Sequence, residues 1–197
     1  MLVQIGVRAP DQTDPLGQLF AGLRHAQSRL RALAHAGSSL AGLDGTGREE
    51  ALAKLEEAVA FFEGPGEEAF LSEQELLVPQ LAPRLQVGDP LCQELGTLGD
   101  EHRTVRGLQR SAARLGRRLL ARPDDRQAGL TLQRLAATLL EIYGEHAERL
   151  EARVLPCART MLGALELEAM GLKMAQRHGD PWGERASEEA CQAPGLP

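Results

Sequence analysis

Asp89-Pro90-Leu91-Cys92-Gln93-Glu94-Leu95-Gly96-Thr97-Leu98-Gly99-Asp100-Glu101-His102-Arg103-Thr104-Val105 is the stretch that decides the fold. It opens with an aspartate able to cap a helix, followed by a proline, whose fixed φ suits the first helical position. Leu91, Leu95, Leu98, His102 and Val105 then recur every three or four residues, and Ala112, Leu115 and Leu119 continue the stripe. That is the spacing of a helix with one buried face. A single titratable residue, His102, interrupts it. The spacing predicts a helix from Asp89-Pro90 to about Arg122.

The same grammar organises the rest of the chain. Asp14-Pro15 opens a helix to about Ala36, and a Gly/Ser-rich linker follows to Gly47. Thr46 with Glu49 has capping-box spacing, so a second helix is predicted from near Gly47. Its inward face carries Leu52, Leu55, Val59 and Phe62. Gly64-Pro65-Gly66 interrupts that helix, which resumes at Glu67 and is predicted to end at Pro79. Pro123-Asp124-Asp125 starts another, with Leu132, Leu135, Leu139, Ile142, His146 and Leu150 facing inward, up to Pro156. A shorter fifth helix is expected to about Arg177. Residues 67–79 and 144–156 align without gaps at an offset of 77, each ending in an apolar pair and a proline.

No segment reads as a strand. The expected architecture is all-α: an up-down-up-down antiparallel four-helix bundle with a short fifth C-terminal helix. Residues 14–178 form the domain, 1–13 a flexible arm and 179–197 a disordered tail.

The 197 residues suit one domain. Aromatics are 3%, so leucine and alanine must fill the interior. A net charge of −6 disfavours nucleic acid and anionic membranes, and no apolar run approaches the ~18 residues of a membrane span. The N-terminus lacks the pattern of a signal peptide. Cys92, Cys157 and Cys191 are odd in number and form no CxxC pair, which implies a reducing, cytoplasmic setting. A partner protein and the oligomeric state stay open. Seven arginines line the helix after His102 with no acidic residue up to Pro123. They read as partners for Glu-rich neighbouring helices, with a dock for an acidic partner or nucleic acid as the alternative; against nucleic acid, no aromatics interleave for base stacking. Arg106, one turn after His102, is placed to neutralise a buried carboxylate.

The candidate site follows from the stripes. His102 and His146 each interrupt an apolar face, and the second helix's register carries Glu73 inward if the Gly-Pro-Gly break does not rotate it. Two imidazoles and one carboxylate suit a divalent metal such as non-heme iron. A buried His–Glu hydrogen-bonded pair without metal is the alternative. His25 lies ~160° from Leu23 around its helix and reads as an edge residue.

The order and spacing of Asp14–Phe20, Phe61–Pro79, Asp100–Arg103, Tyr143–His146 and the segment from Ala164 to Gly179 resemble the hemerythrin-like (HHE) cation-binding family over nearly all of 14–178. The resemblance implies a di-iron centre. One half would be held by histidines of the first two long helices, the other by those of the next two. His102, His146 and Glu73 match ligand positions. Leu23, Ala69 and Leu150 stand where the family has a histidine, a histidine and a carboxylate. His25 and Glu151 are the substitutes that an altered register or spacing offers. The resemblance therefore implies one iron at Glu73, His102 and His146, with zinc or an empty site as alternatives. The expected role is sensing or regulation rather than O2 carriage or catalysis; the alternative is a metal-free interaction module.

Overall fold

The computed structural model describes residues 14–178, apart from the side chains of residues 67–70, 175, 177 and 178. The expected arm and tail lie outside the described residues. Eight α-helical stretches run in order: α1 Pro15–Ser39, α2 Gly45–Glu63, α3 Pro65–Ser72, α4 Val78–Leu81, α5 Pro90–Ala121, α6 Arg126–Arg149, α7 Leu155–Met161 and α8 Ala164–His178. Among the described residues there is no strand.

Three aspartates start the long helices. Asp14 accepts from the Leu16 N–H at 3.2 Å, Asp89 from Leu91 at 2.8 Å and Asp125 from Ala128 at 3.0 Å. Each satisfies an amide that the first turn leaves without a partner. The second helix departs from expectation. It begins at Gly45, behind Asp44, whose side chain makes no cap bond. Gly45 takes φ +53°, a conformation open to glycine; Thr46 thus falls inside the first turn and the capping box does not form.

The Gly-Pro-Gly break is also milder than expected. Helix α3 starts at Pro65 itself after a single turn residue, Gly64. The prolines expected to end the helices do not end them either. Helix α3 passes into a π-helical turn, Glu73–Leu77, and on into α4; α6 passes into Leu150–Val154 and on into α7. In each, an i+5 bond closes the wide turn: Val78 N–H to Glu73 C=O, and Leu155 N–H to Leu150 C=O. Pro79 and Pro156 follow at once. A proline lacks the N–H for its own i−4 bond and crowds that carbonyl; the extra residue in the turn makes room. The two π turns fall at matching points of the internal repeat.

Helices α1, α2, α5 and α6 close a ring by pairwise packing, α1 on α6 and α2, α5 on α2 and α6. Helix α8 packs on α1, α3 and the first π turn. Leucines at zero or near-zero exposure fill the ring, among them Leu16, Leu30, Leu33, Leu55, Leu98 and Leu132; each contributes about 1.5–3 kcal/mol when fully buried. Helices α1 and α6 touch backbone to backbone: a Cβ on Gly129 would sit 2.5 Å from the Gly37 carbonyl oxygen. No described helix is long and apolar enough to cross a membrane.

Candidate metal centre

Helix α5 keeps the phase read from its sequence, and His102 is 3% exposed in its inward stripe. The inward stripe of α6 runs through Leu132, Ala136, Leu139, Tyr143, His146 and Leu150, all fully buried. Leu135 and Ile142, expected on that face, flank it half-buried. Because α3 continues helically from Pro65, Glu73 arrives at the first residue of the π turn pointing inward, 2% exposed.

The three residues meet. One donor atom from each of Glu73, His102 and His146 lies within 4.8 Å of the others. His146 Nε2 stands 2.9 Å from Glu73 Oε2, and His102 Nε2 3.6 Å from Glu73 Oε1. The two imidazole rings tilt toward each other with centroids 5.1 Å apart. A four-coordinate ion with bonds of ~2.0–2.2 Å holds its donors ~3.4 Å apart, a value between these two separations. Glu73 Oε1 is buried and accepts no hydrogen bond from a described residue. An acceptor in that condition is costly, and a cation relieves it. Two nitrogens and one carboxylate oxygen suit iron(II) or zinc and would leave a fourth coordination position to another ligand. The donor set therefore fits a single ion.

His146 is held from both sides. Its Nδ1 lies 3.0 Å from Glu101 Oε2, and the other Glu101 oxygen is bound by Arg149. Burial pushes the Glu73 carboxyl up, but the charge on His146 and the close approach of both imidazoles outweigh it and hold it at about 2. Burial pushes the His146 imidazole down, but Glu73 and Glu101 outweigh that and raise it to about 9. Without an ion, His146 is an imidazolium clamped between two carboxylates. A metal ion and the Nε2 proton compete for the same lone pair.

Below the triad lies a second buried polar pair. Gln109, two turns after His102, donates its side-chain N–H to the Tyr143 hydroxyl, one turn before His146. Burial drives the Tyr143 phenol above its ordinary range, and the Gln109 bond offsets this in part.

The substitute ligands are placed elsewhere. His25 is half-buried, its Nε2 accepts from Arg29 Nε at 3.2 Å, and its ring packs on Phe61 at 5.1 Å. It is outside the triad because its side of α1 faces α2. Glu151 is exposed, since it lies one step round the helix from inward Leu150. Leu23 and Leu150 are core residues at 2% and 0% exposure; the Ala69 side chain lies outside the described residues. Glu101, Gln109 and Tyr143 were not singled out from sequence. Gln109 had a signal, sitting seven residues after His102 on the same stripe. Of the arginines, Arg117 pairs with Glu63 of α2 and Arg118 with Asp125.

No family model and no curated protein matches this chain.

Proposed function

We propose that this chain is a hemerythrin-like cation-binding protein whose ring of α1, α2–α4, α5 and α6–α7 is an up-down-up-down bundle holding one divalent ion. Iron is the first choice and zinc the second. Glu73, His102 and His146 are its ligands. One observation carries the reading: three inward donors from three separate rods converge where Glu73 Oε1 accepts no hydrogen bond from a described residue. A bound iron would supply Lewis acidity and a one-electron couple. The protein's part is to exclude water, with all three ligands at 3% exposure or less, and to orient the imidazoles. Leu23 and Leu150, both buried in the core, stand where the resemblance puts ligands of a second ion, which favours a sensing or regulatory role over two-iron chemistry. The unlinked cysteines, Cys92 and Cys157, suit a reducing cytoplasmic setting.

A specific observation favours a second reading, a metal-free interaction module. The Glu101–His146–Glu73 clamp with Arg149 is charge-balanced without any ion. Anaerobic loading with Fe(II) or Zn(II), followed by elemental analysis, separates the two. The metal reading expects about one ion per chain, lost in both His102→Ala and His146→Ala. No bound metal leaves the module reading, and two ions per chain would contradict the single-ion site.

A further inference from the structure

His146 is held at both ring nitrogens. His146 offers Nε2 to Glu73, while Nδ1 meets Glu101, a residue of α5 45 positions away in sequence. Glu101 is itself held. Its Oε1 accepts from Arg149, one turn after Glu145, and Arg149 also lies 3.8 Å from Glu145 Oε2. Glu101 and Arg149 are 19% and 20% exposed, so the pair sits at the wall between the buried triad and solvent. An imidazole whose Nδ1–H donates to a fixed carboxylate presents its lone pair at Nε2 and cannot turn about its own axis.

We propose that Glu101 is the positioning residue of the metal centre: braced by Arg149, it keeps the His146 proton on Nδ1 and commits Nε2 to the ion. The inference rests on the metal reading, and neither Glu101 nor Arg149 touches the ion. Its chemistry is that of a carboxylate behind a metal-bound histidine, which orients the ring and raises its basicity. Glu94 offers an internal control. It lies on the same flank of α5, is 17% exposed and, where Glu101 meets His146, pairs instead with Arg153.

The test is Zn(II) titration of the full chain and its variants, with melting curves as the folding control. Glu101→Ala is expected to weaken zinc binding about 10–100-fold. Glu101→Gln, which keeps an acceptor but not the charge, should recover part of that loss. Arg149→Met should weaken binding by less than Glu101→Ala, and Glu94→Ala should leave it unchanged. In the zinc-loaded protein the His146 Nδ1–H resonance is expected downfield and protected from exchange. In Glu101→Ala it should move upfield and exchange with water. Zinc affinity within about twofold of wild type in Glu101→Ala and Arg149→Met overturns the positioning role alone. An equal loss in Glu94→Ala also overturns it, since the effect is then general electrostatics. Failure of the wild type to bind zinc overturns the metal reading and this one together.

Discussion

At the scale of single residues, Glu73 is the one buried carboxylate among the described residues. A carboxylate at 2% exposure is sustained by a hydrogen bond from His146 and by the positive charge that the imidazoles beside it can carry. The metal-free protein should record this in its pH profile. Glu73 is depressed from 4.5 to about 2, so its stabilising contribution is present above 4.5 and is lost as pH falls toward 2. His146 is raised from 6.5 to about 9, so its contribution is complete below 6.5 and is lost as pH rises through 9. Both act together between those ordinary values, and stability should decline on either side of that window. Urea unfolding of the apo protein from pH 2.5 to 9.5 checks this. The decline above pH 6.5 should be absent in His146→Gln; a decline of equal size in that variant would remove His146 as its source.

At the scale of elements, the π turns carry the most information. Pro79 forces an extra residue into its turn, and that residue sets the rotation of Glu73 relative to Leu77 and Leu81, both fully buried. With Pro79→Ala the turn can close to ordinary α-geometry, rotating one side against the other by ~100°. Zinc affinity should fall by about tenfold or more, because a metal site tolerates little displacement of its ligands. Pro156→Ala acts on a turn that begins with Leu150 and should cost less affinity. Similar affinities for wild type and both variants would show that the prolines do not set the site. A second element-level device is the α1–α6 crossing. Gly129→Ala places a methyl 2.5 Å from the Gly37 carbonyl oxygen; separating two backbones should cost about 1–3 kcal/mol. Gly96→Ala, in α5 with nothing within 4 Å of its Cβ, should instead stabilise by about 0.5–1 kcal/mol. Urea midpoints of the two variants compare them directly.

At the scale of the whole molecule, the proposed ion would tie together three rods that otherwise meet through leucine packing. Binding to the folded state alone raises stability by about 2.7 kcal/mol at a free concentration of 100 Kd. For a chain of this size that moves the melting temperature by roughly 5–10 °C. Hydrogen exchange should slow in α3, α5 and α6 together, the rods that carry Glu73, His102 and His146. Slowing confined to one helix would indicate surface binding instead of a shared centre.

Local rules determined much of this protein. Asp14, Asp89 and Asp125 mark helix starts because a side chain caps amides a few atoms away. The inward placement of His102 and His146 follows from 3.6-residue periodicity alone. Glu73 was legible only on the condition that the Gly64 break left its register intact. Tertiary structure decided what depends on contacts between rods. Pro79 and Pro156 look like terminators by local sterics, yet the helices run on as π turns, with Leu77, Leu81, Val154 and Leu155 buried in the core around them. Glu101 falls off the apolar stripe of α5, and only the packing of α5 on α6 brings His146 and Arg149 to it from 45 and 48 positions away. His25 was committed to Arg29 and Phe61 by the packing of α1 on α2. Periodicity says which face a residue occupies; only the rotation of one helix against another says what it meets there.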